Sequence, residues 1–399
     1  MTGPNLSAET DRAPQRLRSA DAARRPEVSL STLALPIGLA AIWVFFSVAV
    51  DDFLTPRNLS MLAIELSVTA TLAVGMLLII LPGHIDLAAG SGVGFLGGLA
   101  AMLVFHHGCP AGAALAISLV AGVAIWGAMG VAITRLKVQS FIITLGGLLI
   151  LRGSFWFLIS SSATPVSRGG ETNLYSALTT SYLSPGASLA FAAVAVALGG
   201  GLALRRRRSL ARSGYPTEPL ESAVLKGLVA AQALFLLVLV CNLYRGLPAP
   251  LLVLGALCAV AHFVTSETVL GRRLYAIGGN AAAARACGVP VERAVITAFA
   301  TMGAFVAITG FLQTSYAGAA TTTVGELMEL DAIAACVIGG ASLRGGRGSV
   351  VSTLAGALVI ASLLNGLTLM AVAPEVKLIV RGAVLVGAVT MDVRLRGGS

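Results

Sequence analysis

Four groups of residues have types and spacings from which chemistry could be built. The first, "GGASLRGGRGS" (Gly339 to Ser349), has the glycine content of a phosphate cradle. Such a cradle also needs Gly-Lys-Ser/Thr, whereas the three lysines, Lys137, Lys226 and Lys377, follow Leu136, Leu225 and Val376. A tight turn between two apolar runs is the better reading, and any ATP that drives this protein is bound by another chain. His106, His107 and Cys109 are donors of the right type for a metal, but no carboxylate accompanies them in that loop, so no metal site is expected. Without a Ser-His-Asp or paired-carboxylate pattern, no catalytic residue is assigned and the chain is not expected to be an enzyme.

Ionisable groups inside apolar sequence form the third group. At the centre of a membrane helix each costs about 3 kcal/mol unless it is paired or hydrated. Asp86, in "LPGHIDLAAGSG", stands between two apolar runs where Pro82, Gly83 and Gly90 can unwind the backbone. It can cap the following helix or line a path, and both readings stay open. Arg152 falls near the middle of a later run, as a structural ion pair or as part of a path. Glu326, Glu329 and Asp331 precede one late run, and Asn365 closes the next. From this set Asp86, Arg152, Glu329 and Asn365 are the candidates for a translocation pathway or its gate. Such groups are sparse, which argues against proton or sodium coupling.

The fourth group is "YAIGGNAAAARACGVP", Tyr275 to Pro290, a short helix signed at both ends. Asn280 is the N-cap, Ala281 to Cys287 are helix-compatible, Gly288 suits a left-handed cap and Pro290 forbids continuation.

The elements that must position these residues are set by composition. The 399 residues are 56% hydrophobic and 11% charged, with mean hydropathy +0.89, which leaves too little polar surface to coat a soluble globule. Crossing about 30 Å of hydrocarbon takes roughly 20 mainly apolar residues, and about twelve runs qualify. They begin near Ser31, Asn58, Ala88, Pro110, Phe141, Gly186, Ser222, Pro248, Ala294, Leu327, Ser349 and Val376. The tenth, Leu327 to Ser342, is short and Gly-ended, as a broken or re-entrant helix would be. The expected fold is therefore an all-α polytopic membrane protein, with its spans over residues 31–396.

Net charge is +9, but the basic residues are clustered between the runs, so the pattern speaks of topology rather than nucleic acid. With both termini in the cytoplasm, about 21 of the 27 basic residues fall inside. Among them are Arg205 to Arg208 with Arg212, read as an Arg-rich cytoplasmic loop. Residues 1–30 mix arginines with carboxylates and lack an apolar core, predicting a disordered cytoplasmic tail. Five scattered cysteines predict no disulfide framework. Small residues four apart (Gly90, Gly94, Gly98; Gly348, Ser352, Gly356) predict close helix packing.

Five segments then carry a resemblance in order along the chain: "GHIDLAAGS", "VQSFIITLGGLLILRG", "GRRLYAIGGNAAAARACGV", "ELDAIAACVIGGASLRGGRGSV" and "NGL". Together they resemble the permease subunits of ABC importers for ribose, xylose and related monosaccharides. The segment from Arg205 and "YRGLPAPLLVL" (Tyr244 to Leu254) is most similar to the longer, xylose-type members. The resemblance implies a multi-pass inner-membrane subunit that passes a pentose inward by alternating access. It implies a periplasmic sugar-binding protein, a second permease subunit forming a homodimer, and a cytoplasmic ABC ATPase that uses ATP and Mg, with no cofactor on this chain. It also implies that residues 271–293 are the coupling segment, with Asn280, Ala283, Ala284, Arg285 and Gly288 set against the ATPase. Where such permeases often carry acidic residues after the asparagine, this chain has Ala281 and Ala282. Two alternatives remain open: another cargo (a different monosaccharide, a nucleoside or an autoinducer sugar), and a secondary transporter or channel working alone.

Overall fold

The computed structural model describes residues 30–215, 217 and 219–397. The tail expected over residues 1–30 lies outside them except for Leu30, which already belongs to a helix. Among the described residues the chain runs α1 (Leu30–Ala49), α2 (Pro56–Ile80), α3 (Ala89–Phe105), α4 (Ala111–Leu136), α5 (Ser140–Leu158), β1 (Thr164–Pro165), α6 (Leu174–Thr180) and β2 (Tyr182–Leu183). It continues through α7 (Pro185–Arg212), α8 (Leu220–Asn242), β3 (Leu247–Pro248), α9 (Ala249–Glu267), α10 (Val269–Gly279), α11 (Ala281–Ala286), α12 (Val291–Ala317), β4 (Ala319–Ala320), α13 (Met328–Ile338), α14 (Val350–Leu369) and α15 (Pro374–Gly397).

Each predicted apolar run begins a helix, but by length and composition eight of the described helices can cross a membrane: α2, α4, α5, α7, α8, α9, α12 and α14. Shorter apolar helices cover Leu35–Ala49 and α3. The tenth run is an 11-residue helix, α13, roughly 16 Å long and so about half of the hydrocarbon thickness. Three further expectations are corrected. Arg205 to Arg212 are the last turns of α7 rather than a loop. Glu329 and Asp331 lie in the first turn of α13 rather than before it. Gly348 lies outside the eleventh run's helix, which starts at Val350.

Helix α2 is the centre of the bundle, buried along almost its whole length. It starts at Pro56 with Thr55 as N-cap, the Thr55 hydroxyl accepting from the Asn58 amide at 3.3 Å. Its polar residues can be buried because they bond within the helix: Ser67 Oγ donates to the Ala63 carbonyl and Thr71 Oγ1 to the Ser67 carbonyl, each at 2.7 Å. Helices α12, α13 and α14 pack around it. Helix α12 also lies along α4 and α3, where Gly303 meets the Gly122 backbone and Gly310 meets that of Gly97. With no hydrophobic drive between helices in lipid, backbone approach of this kind supplies the packing. By contrast α7 and α8 form an outer hairpin that exposes Leu198, Leu202, Leu228 and Leu236, as lipid contact requires.

The two ends of the bundle differ. At one end two turns meet the end of α10: the Gly346 amide donates to the Leu81 carbonyl at 2.8 Å, and Gly278 of α10 lies between these two backbones. The Tyr275 hydroxyl donates to the Gly348 carbonyl at 2.7 Å, and burial pushes its pKa up, keeping it a donor. Arg272, Arg273, Arg285, Arg293, Arg344 and Arg347 stand on or beside these turns, which makes this the basic end. At the opposite end β1 pairs with β4 (Thr164↔Ala320) and β2 with β3 (Tyr182↔Pro248).

Candidate functional site

A cavity of about 490 Å³ opens between α2, α12, α13, α14 and α15, within the range of small-molecule pockets. Its wall carries Glu65 from α2, Gln313 and Tyr316 from α12, Glu326 from the segment leading into α13, Asp331 from α13, and Lys377 and Arg381 from α15. Since α13 begins part-way through the bundle, irregular backbone from Thr323 to Leu327 lines the cavity where a full helix would have closed it. Leu327 sits there with φ +60°, a left-handed conformation unusual for a branched residue.

Both cations have partners. Arg381 Nη2 lies 3.3 Å from Asp331 Oδ2, and Lys377 Nζ donates to Thr368 Oγ1 at 3.1 Å. Glu65 accepts from the Tyr316 hydroxyl and from Asn365 Nδ2, both at 3.1 Å. Asn365 Oδ1 in turn accepts from Asn58 Nδ2 at 3.0 Å. Three carboxylates face two cations across the wall, so no strong field of one sign is available to hold an ion, while donors and acceptors of both kinds remain for hydroxyl groups.

Against this geometry the four pathway candidates separate. Asn365 is buried and orients Glu65. Arg152 lies beside the cavity on α5, its Nη2 3.1 Å from Glu326 Oε1 and its guanidinium 5.4 Å from the Trp156 ring centre. Both partners are more than 40% exposed, a costly position against lipid. Glu329 is buried against Gly90 of α3 and lines a narrow recess that it shares with Arg152 and Glu326. Asp86 lies outside both spaces: Oδ1 accepts from the Ala88 amide at 2.8 Å and Oδ2 from Trp126 Nε1 at 2.6 Å. That fully buried carboxylate ties the residue just before α3 to α4.

Glu65 and Trp126 escaped the sequence reading. Glu65 had a signal, as the acidic residue inside the 25-residue apolar run of α2. For Trp126 nothing local marked it as the partner of a residue 40 positions earlier.

At the basic end the signed helix is α11, Ala281–Ala286. Asn280 Oδ1 accepts from the Ala283 amide at 3.0 Å, and Gly288 takes φ +80°. Ala284 is buried, while Asn280, Ala281, Ala282, Ala283, Arg285 and Gly288 face outward. Unexpectedly, Val269–Gly279 before it is a second helix, α10, so Asn280 joins two rigid pieces.

A family model described as "Branched-chain amino acid transport system / permease component" matches residues 58–389. The xylose transport system permease protein XylH of Escherichia coli (strain K12) is 38% identical over 373 residues, covering 92% of each chain. XylH of Haemophilus influenzae is 39% identical over 374 residues, 92% of this chain and 96% of that one. The ribose import permease protein RbsC of E. coli (strain K12) is 32% identical over 356 residues, 89% of this chain and 92% of that one. No solved structure matches the chain.

Proposed function

The chain belongs to the family of branched-chain amino acid transport system permease components, and on that premise we propose that it is the membrane subunit of an ATP-driven importer of D-xylose. The single observation that carries the reading within the fold is the 490 Å³ cavity behind the half-helix α13, whose wall holds charges of both signs. Similarity to XylH over almost the whole chain supports the pentose. Similarity to RbsC makes ribose the second cargo to test. The basic end faces the cytoplasm, where a positive bias collects, and the cavity end faces the periplasmic binding protein that delivers sugar. The described ends of α1 and α15 then both lie on the cytoplasmic side.

Two copies face each other across α5, because Arg152 on that helix is charged and 43% exposed, too polar a face for lipid. A partner ATPase, using ATP and Mg, seats α11. A capped helix is a stiff body that passes on displacement, and α10 carries that movement to the turns at Leu81 and Gly346. The decisive experiment is xylose uptake by proteoliposomes holding the permease, its ATPase and its binding protein. Uptake that requires ATP and the binding protein supports the reading; uptake by the permease alone under a proton gradient ends it.

Two variants probe the parts. Glu65→Gln keeps the shape but changes the acceptor that Tyr316 and Asn365 address, so xylose uptake is expected to fall severalfold at unchanged membrane abundance. Equal uptake per permease would remove Glu65 from the path. Proline fixes φ at about −65°, which Gly288 at +80° cannot accommodate. Gly288→Pro is therefore expected to leave ATP turnover by the assembled complex in place while sugar imported per ATP drops severalfold. An unchanged ratio would dismiss α11 as the coupling helix.

A further inference from the structure

The arginines at the end of α7 play no part in the cavity or in α11. Helix α7 has 28 residues, roughly 42 Å of length and so about 12 Å more than the hydrocarbon core. That excess matches Arg205 to Arg212, which add about 12 Å beyond Leu204. Leu198, Leu202 and Leu204 lead up to the cluster as exposed apolar residues, and exposed Tyr215 follows it, at the level where aromatic residues favour the membrane interface. The arginines therefore emerge where lipid phosphates lie.

Their charges are largely unanswered by the protein. Arg206 Nε lies 3.5 Å from Glu267 Oε1. Among the described residues, Arg205, Arg207, Arg208 and Arg212 have no carboxylate partner. Arg207 is half-buried, with its Nη1 shielded from solvent and unbonded. A shielded guanidinium nitrogen without an acceptor carries a desolvation penalty that a phosphate oxygen would relieve, and the guanidinium fork suits phosphate in two-point contact. We propose that Arg205, Arg207, Arg208 and Arg212 form a docking surface for the phosphates of anionic phospholipids, such as phosphatidylglycerol, at the rim of the α7–α8 hairpin. Lipid is favoured over an acidic protein because the hairpin is the outermost part of the bundle and its apolar flanks already face the acyl chains.

The test needs no transport. Full-length permease is equilibrated with vesicles of equal parts phosphatidylcholine and phosphatidylglycerol, purified in neutral detergent, and its retained lipid is quantified by mass spectrometry. The wild type is expected to enrich phosphatidylglycerol over phosphatidylcholine. Each basic residue near an anionic surface contributes about 1 kcal/mol, so Arg207→Gln should lower the enrichment about fivefold. The triple replacement Arg205→Gln, Arg207→Gln, Arg208→Gln should bring it to the vesicle ratio. Arg207→Lys, which keeps the charge and guards against misfolding or a flipped topology, should retain most of it. Unchanged enrichment in both glutamine variants overturns the proposal. So does displacement of the lipid by dissolved glycerol 3-phosphate, which would mark a site for free anions, or loss of a cytoplasmic protein partner with lipid retention intact.

Discussion

Gly278→Val is expected to abolish transport and to cut the amount of folded permease severalfold. A Cβ at this position would run into the Leu81 carbonyl oxygen and the Gly346 amide nitrogen. Both are backbone atoms in turns fixed by their own bond at 2.8 Å, so neither can rotate away as a side chain would. Overpacking of this kind costs about 1–3 kcal/mol. Separating the Leu81–Gly346 pair leaves buried polar groups without partners, a further penalty of about 1–3 kcal/mol. The neighbouring Gly279 supplies the control, since a Cβ there meets nothing within 4 Å and Gly279→Val should accumulate normally. Size-exclusion profiles and melting temperatures of the two variants in detergent decide the matter. Equal behaviour would mean that the junction between α10 and the two turns is not as tight as described, and the proposed route from α11 into the bundle would lose its first link.

Asp86→Ala carries the second large effect, and it falls on stability. The carboxylate answers two buried donors, the Trp126 indole and the Ala88 amide. Removing it strands both, at about 1–3 kcal/mol each. Asp86→Asn should lose less, because its amide oxygen can still accept one of them. Trp126→Phe should cost less when made in Asp86→Ala than in the wild type, since the stranded indole donor is then gone. Thermal unfolding of the four proteins measures the cycle. Normal melting of Asp86→Ala combined with lost sugar uptake would return Asp86 to the pathway, the alternative its sequence position left open.

The starts of the apolar helices were legible in the sequence, and so was α11 with its two caps. Hydropathy, an N-cap asparagine and a glycine that must turn left-handed act through atoms only a few residues away. Asn280 shows it, accepting from the backbone amide three residues on. Arg205 to Arg212 show where this fails. Their charge suggested a loop, yet an exposed helix end solvates arginine as well as a loop does and continues α7 without a break.

What the chain determined alone is therefore its class and segmentation: a membrane protein with its helices in order, a basic side, and a stiff element outside the spans. The tertiary structure decided which polar groups are spent on packing and which face a cavity. Asp86 was claimed by Trp126, whereas Glu65 was brought to Asn365, 300 positions away. The physical reason is that desolvating a charge is unfavourable whatever its local sequence, and only the fold determines whether a hydrogen-bonding partner or open space waits beside it.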